Sequence, residues 1–63
     1  MNSFKYQKGD PVRFLRGVGR VRATRLWQGG GRTERWYELI LEEDGSPAGI
    51  WQEGELRACP GVA

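Results

Sequence analysis

The side chains that most often carry out chemistry in proteins are scarce in this chain. It has no histidine, so the commonest general base and metal ligand is missing. Ser3 and Ser46 have no neighbouring base, and Cys59 is the only cysteine, so neither an internal disulfide nor a paired-cysteine zinc site can form. A serine hydrolase triad is excluded, and we expect no metal, no cofactor and no enzymatic activity.

Three segments of acidic residues or glycines offer weaker candidates for chemistry. Glu53 and Glu55 could act as paired carboxylates, residues 42–44 could ligate a cation, and residues 29–31 could bind an anion through their backbone amides. These residue types are also typical of turns, and no Gly-Lys-Ser/Thr sequence follows the glycines. We expect all three segments to be turns.

Arginine is the most abundant charged residue, and its distribution is uneven. The net charge is +2, yet residues 1–33 hold eight basic residues and one acid, and residues 34–63 hold two basic residues and seven acids. Six arginines could follow the phosphates of a nucleic acid: Arg13, Arg16, Arg20, Arg22, Arg25 and Arg32. Alternatively, Glu38 and Glu42 neutralise part of this run across a pair of strands. The small net charge favours the second explanation.

The tryptophans are the other candidates for a binding surface. Tryptophan is enriched at the hot spots of protein interfaces and stacks on bases in single-strand binders, although it can also fill the ends of a small barrel. We expect Trp36 to be exposed with Leu26 and Ile40 on an apolar outer face. With Trp27 and Trp51, these residues form the predicted surface for a protein partner or for self-association.

The elements that position these residues are short strands. Apolar and polar residues alternate without helical periodicity, which predicts strands at about 12–16, 20–27, 35–42, 48–52 and 57–59, with a helical turn at 53–56. Asp44-Gly45 predicts a hairpin turn. We expect the 63 residues to form one domain, with its core at about 6–59 and fraying at 60–63. A domain this small, without a disulfide or a structural metal, is expected to be marginally stable. This favours assembly with a partner protein or with a second copy of the chain.

The pairing of the second and third strands follows from matching their apolar faces. In the predicted register Val21 lies opposite Leu41, and a bulge near Thr24 would keep Arg25 from lying beside Tyr37. The predicted core comprises Val12, Phe14, Val21, Ala23, Tyr37, Leu39, Leu41, Ile50 and Leu56.

Four segments between about residues 6 and 59 resemble those of SH3-like small β-barrels. They are Lys8-Gly9-Asp10-Pro11-Val12, the turn at Gly17 and Gly19, Trp36-Tyr37-Glu38-Leu39, and Glu53-Gly54-Glu55-Leu56. This superfamily includes KOW and Tudor domains, CarD-type RNA-polymerase-binding domains and nitrile hydratase β-subunits. The resemblance implies an all-β, five-stranded small barrel with one short helical turn before the last strand.

Two members of that superfamily suggest different functions. The CarD-type domain is similar around residues 9–10, 17–21 and 37–39, which implies a protein-binding module that uses an exposed strand edge. Residues 48–51 resemble the Val-Gln-Ile-Tyr motif of type II dihydrofolate reductase, with Gly49 in place of the glutamine and Phe14 near the position of the pore lysine. That resemblance implies a small oligomeric enzyme.

The sequence as a whole favours an interaction module over an enzyme. No apolar run approaches the ~20 residues of a membrane span, and the first six residues lack the apolar segment of an export signal. We therefore expect a cytoplasmic, non-enzymatic module that binds a protein partner or itself. Nucleic-acid binding by the arginines is the first alternative, and a reductase-like oligomer is the second.

Overall fold

The computed structural model describes residues 4–59, which form one antiparallel sheet and a single helical turn. The strands in chain order are β1 (Pro11–Phe14), β2 (Gly17–Gly29), β3 (Arg32–Leu41), β4 (Pro47–Gln52) and β5 (Arg57–Ala58). A 3₁₀ turn at Glu53–Glu55 precedes β5. The sheet order is β4-β3-β2-β1-β5, so β4 and β5 are its edges. This confirms the predicted all-β class with five strands and one helical turn.

Some sequence expectations fall outside this description. Ser3 and the predicted fraying of residues 60–63 lie beyond the described residues. Among residues 4–59, no helix is both long enough and apolar enough to cross a membrane.

The β2–β3 hairpin is longer than the sequence pattern predicts. β2 continues to Gly29 and β3 begins at Arg32, so Gly30 and Gly31 alone make the turn. Both have positive φ, +56° and +76°. Positive φ at both central residues is typical of the type I′ turn, whose twist matches that of paired strands. The glycines therefore close a tight hairpin, and the strands remain paired up to the turn.

Between Gly19 and Val21, the register of this hairpin differs from the predicted one by two residues. Val21 lies opposite Leu39, not Leu41, and Gly19 is the residue opposite Leu41. A Cβ atom at Gly19 would lie 2.7 Å from the carbonyl oxygen of Ile40. Only glycine permits this close approach of the two backbones. The predicted register was wrong because it matched apolar side chains without considering where the backbones approach.

A β-bulge lies between Val21 and Ala23, two residues before the predicted position at Thr24. Because a bulge adds one residue to one strand, the residues after it change face. Val21 is buried, whereas Arg25 lies opposite Trp36 on the other side of the sheet. The bulge keeps Arg25 out of the core, as expected. Ala23, which was predicted to be a core residue, is only half-buried.

The core lies on one face of the sheet. Its buried residues are Tyr6, Val12, Val21, Tyr37, Leu39, Ala48 and Leu56, with Phe4, Phe14, Leu41 and Trp51 packed against them. Five of the predicted core residues are confirmed as buried, and Phe14 and Leu41 are partly buried. Ile50 was wrongly predicted: half of it is exposed, because the register of β4 shifts next to Gly49 (φ +94°).

Hydrogen bonds to the buried Tyr37 side chain and to its partner Glu53 join three segments of the chain. The Tyr37 hydroxyl donates to Oε2 of Glu53 at 2.5 Å and accepts the Tyr6 N–H at 3.3 Å. The Lys5 N–H donates to the same carboxylate oxygen at 3.0 Å. Burial and the bond to Glu53 raise the pKa of Tyr37 to about 12. Burial opposes ionisation of Glu53, but the hydrogen bonds from Tyr37 and Lys5 outweigh it and lower the pKa of Glu53.

Candidate protein-binding face

Three apolar side chains from neighbouring strands line a groove on the face of the sheet opposite the core. Trp27 of β2, Trp36 of β3 and Ile50 of β4 are the largest apolar side chains of this tryptophan groove, and Leu26 of β2 is its fourth apolar residue. Its volume is about 470 Å³, and its full lining is Arg25, Leu26, Trp27, Glu34, Trp36 and Ile50. Trp27 and Ile50 are each 50% exposed. Trp36 was wrongly predicted to be exposed and is half-buried. The groove therefore presents accessible apolar surface on a chain rich in charge.

Local contacts on each strand hold the two indole rings. The Trp27 ring lies against Gly29, where a Cβ atom would be 3.0 Å from two ring carbons. The Trp36 indole N–H donates to Oε1 of Glu34 at 3.2 Å. Side chains already positioned in this way lose less conformational entropy when a ligand binds.

Near the groove, two glutamates form ion pairs with arginines that are more exposed than the glutamates are. Glu38 pairs with Arg22 at 3.1 Å and with Arg25 at 3.5 Å, and Glu34 pairs with Arg32 at 3.3 Å. The three arginine side chains are 61%, 63% and 75% exposed, against 25% and 22% for the two glutamates. The outermost charge around the groove is therefore positive, with the negative charge beneath it.

These ion pairs also bear on the arginines predicted to bind nucleic acid. Four of the six pair with a glutamate: Arg20, Arg22, Arg25 and Arg32. The partner of Arg20 is Glu42, and its side chain also donates to the Gly9 carbonyl at 2.9 Å. Within residues 4–59, Arg13 and Arg16 have no such partner. Each pairing reduces the attraction of the arginine run for phosphates.

Two of the predicted binding residues do not line the groove. Ile40 is half-buried farther along β3, opposite Pro47. Trp51 packs against the core, and its indole N–H donates to the Ala48 carbonyl at 2.7 Å. Ile50 takes their place, although the sequence analysis assigned it to the core. The one sequence signal for this was Gly49, since glycine within a strand often marks a bulge that reverses the alternation.

The acidic segments considered for chemistry make turn contacts. Asp44 accepts the backbone N–H of Ser46 at 2.9 Å and its hydroxyl at 2.7 Å, and these bonds lower the pKa of Asp44. Glu55 accepts the Gln52 N–H at 2.9 Å and so holds the 3₁₀ turn. In the part of the chain that the structure describes, no three His, Cys, Asp or Glu side chains cluster as metal ligands would.

The sheet edges are poor templates for an added strand. β4 begins at Pro47, which has no N–H, and its register shifts beside Gly49. β5 has only two residues. Short, interrupted edges of this kind disfavour pairing with another chain, so the tryptophan groove is the more accessible binding surface.

No family model, curated protein or solved structure matches this chain.

Proposed function

We propose that this chain is a non-enzymatic protein-binding module whose tryptophan groove accepts an apolar side chain flanked by carboxylates on a partner protein. The observation that carries this proposal is the half-exposed pair Trp27 and Ile50 beside Trp36. Tryptophan and arginine are the residue types most enriched at interface hot spots, and both line this groove.

The orientation of the ion pairs favours an acidic partner. The exposed guanidinium groups of Arg22, Arg25 and Arg32 can each donate to a second carboxylate, which would add charge-assisted hydrogen bonds around the apolar contact. A second copy that met the same face would bring arginines against arginines. Like charges across an interface disfavour association, so the proposed occupant is a different protein.

The proposal includes an SH3-like architecture that binds through a face. The strand order β4-β3-β2-β1-β5 and the 3₁₀ turn directly before β5 support that architecture. The CarD-type resemblance implies binding at a strand edge. Pro47 and the register shift in β4 argue instead for the face that carries the groove.

Selection from a displayed library of random peptides on the immobilised chain tests this function. We expect the selected peptides to share an aromatic or long aliphatic residue flanked by Asp or Glu. Trp27→Ala and Ile50→Ala should each weaken binding by about tenfold or more, the usual effect of truncating a hot-spot residue. Leu15→Ala is the matched control, because Leu15 is 87% exposed and does not line the groove.

Two results would contradict the proposal. Selected peptides that bind Trp27→Ala as well as the unmodified chain would show that the groove is not the site. Sedimentation velocity should give a monomer. A dimer that dissociates in Trp27→Ala would show that the groove binds a second copy, which would refute the assignment of an acidic partner.

A further inference from the structure

Two arginines lie opposite each other at the other end of the sheet, and neither is paired with an acidic residue within the described part of the chain. Arg13 of β1 and Arg57 of β5 are direct cross-strand neighbours. Both are exposed, and among residues 4–59 no carboxylate oxygen lies within ion-pair distance of either. Like charges directly opposite each other destabilise a pair of strands. An anion bound between them would convert that repulsion into attraction.

Arg13 and Arg57 line an open groove with room for a ligand. Its volume is about 620 Å³, and its lining is Arg13, Phe14, Gly54, Glu55, Arg57 and Ala58. A Cβ atom at Gly54 would meet no atom within 4 Å, so this side of the groove is open. Glu55 is the one acid in the lining, and its Oε1 accepts the Gln52 N–H. The groove therefore carries an excess of positive charge.

The contrast with the other arginines indicates the ligand's chemistry. Around the tryptophan groove, a glutamate beside each arginine offsets part of its charge, whereas within residues 4–59 Arg13 and Arg57 have no such neighbour. The planar fork of donors on a guanidinium matches the oxygens of a phosphate. We propose that Arg13 and Arg57 form a phosphate-binding site, separate from the tryptophan groove, that holds one phosphate group between them. That group could be free phosphate or the phosphodiester of a single-stranded nucleic acid.

Two titrations distinguish free phosphate from a single-stranded nucleic acid as the source of the bound phosphate group. One adds inorganic phosphate to the ¹⁵N-labelled chain and follows the side-chain N–H signals of Arg13 and Arg57. The other follows the fluorescence anisotropy of a labelled single-stranded oligonucleotide at several salt concentrations. Arg13→Gln and Arg57→Gln should each weaken binding about three- to tenfold. For the oligonucleotide, each should also reduce the slope of log affinity against log salt by about 0.7.

Two further variants separate a site from general charge attraction. Glu55→Gln keeps an oxygen acceptor for Gln52 but removes the negative charge, so phosphate should bind more tightly. Arg22→Gln removes a positive charge that is already paired with Glu38, so phosphate binding should not change.

The results of the two titrations decide whether the phosphate-binding site exists and which ligand it binds. Phosphate binding with oligonucleotide binding identifies nucleic acid as the source, and phosphate binding alone identifies a small phosphorylated ligand. Unchanged signals from Arg13 and Arg57 in both titrations would overturn the proposal. So would an Arg22→Gln variant that weakens binding as much as Arg13→Gln does.

Discussion

Replacing Tyr37 with phenylalanine tests the contact that joins the segment before β1 to the sheet and the 3₁₀ turn. The substitution keeps the buried ring and removes only its hydroxyl. That oxygen lies 2.5 Å from Oε2 of Glu53 and 3.3 Å from the Tyr6 nitrogen. The variant therefore removes one hydrogen bond to a charged group and the acceptor of one buried N–H.

The size of the effect follows from those two bonds. A hydrogen bond to a charged group contributes about 1.5–3 kcal/mol, and a buried donor left without an acceptor costs about 1–3 kcal/mol. Glu53 is only half-buried and keeps the bond from Lys5, so it recovers part of its loss from water. We expect the free energy of unfolding to fall by about 2 kcal/mol, which in a domain of this size lowers Tm by about 10 °C.

Tyr6→Phe is the matched control for urea and thermal unfolding at pH 7. The Tyr6 hydroxyl is also buried but has no hydrogen-bond partner among the described residues. Its removal should be neutral or stabilising. The reasoning is refuted if Tyr37→Phe unfolds at the same urea concentration as the unmodified chain, or if the two variants lose equal stability.

The unmodified chain and Tyr37→Phe should also differ in how their stability changes at alkaline pH. The fold favours the neutral hydroxyl and raises the pKa of Tyr37 from 10 to about 12. This contribution, at most about 3 kcal/mol for two pKa units, is complete below pH 10 and is lost as the pH rises towards 12. The stability difference between the unmodified chain and Tyr37→Phe should therefore shrink over that interval. A constant difference would contradict the raised pKa.

Three further substitutions test other contacts. Gly19→Ala places a Cβ atom 2.7 Å from the Ile40 carbonyl oxygen and should lower the free energy of unfolding by about 1–3 kcal/mol in urea. Gly29→Ala crowds the Trp27 ring and should change tryptophan fluorescence while altering stability by no more than about 0.5 kcal/mol. Because the pKa of Glu53 is lowered, its contribution is present above the ordinary carboxyl pKa and is lost as the pH falls through the lower folded value. Glu53→Gln should therefore reduce the loss of stability between pH 6 and pH 2.

Each of these predictions has an outcome that contradicts it. Gly54→Ala is the control for Gly19→Ala, because a Cβ atom there meets nothing within 4 Å. Equal stability of these two variants would show that β2 and β3 do not approach as described. Unchanged fluorescence in Gly29→Ala would contradict the position of Trp27, and an unchanged acid dependence in Glu53→Gln would contradict the role of that carboxylate.

The strands and most of the core could be predicted because they depend on local alternation. Tyr37 and Leu39 share the buried face of β3, as the sequence pattern indicates. The predicted register and the predicted position of Ile50 were wrong because a glycine alters the backbone geometry at each place. Gly19 sets the register by close approach, and Gly49 accompanies the shift that turns Ile50 outward. Apolar matching alone contains no information about either.

The candidate site was predictable in its residue types but not in its arrangement. Leu26, Trp27 and Trp36 were assigned to a binding surface, and all three line the groove. The outward position of the arginines depends on the bulge after Val21 and on side-chain geometry, which spacing does not determine. The contact between Tyr37 and Glu53 joins distant parts of the chain and has no sequence signature.

Chemical-shift mapping with a selected peptide measures most directly whether the tryptophan groove is the binding site. The ¹⁵N-labelled chain is titrated with an acidic peptide that carries one apolar anchor, and both backbone and indole N–H signals are followed. We predict the largest shifts at the indole N–H groups of Trp27 and Trp36 and at the amide of Ile50. Largest shifts along β5 or at the free edge of β4, with both indole signals unchanged, would contradict the proposed function.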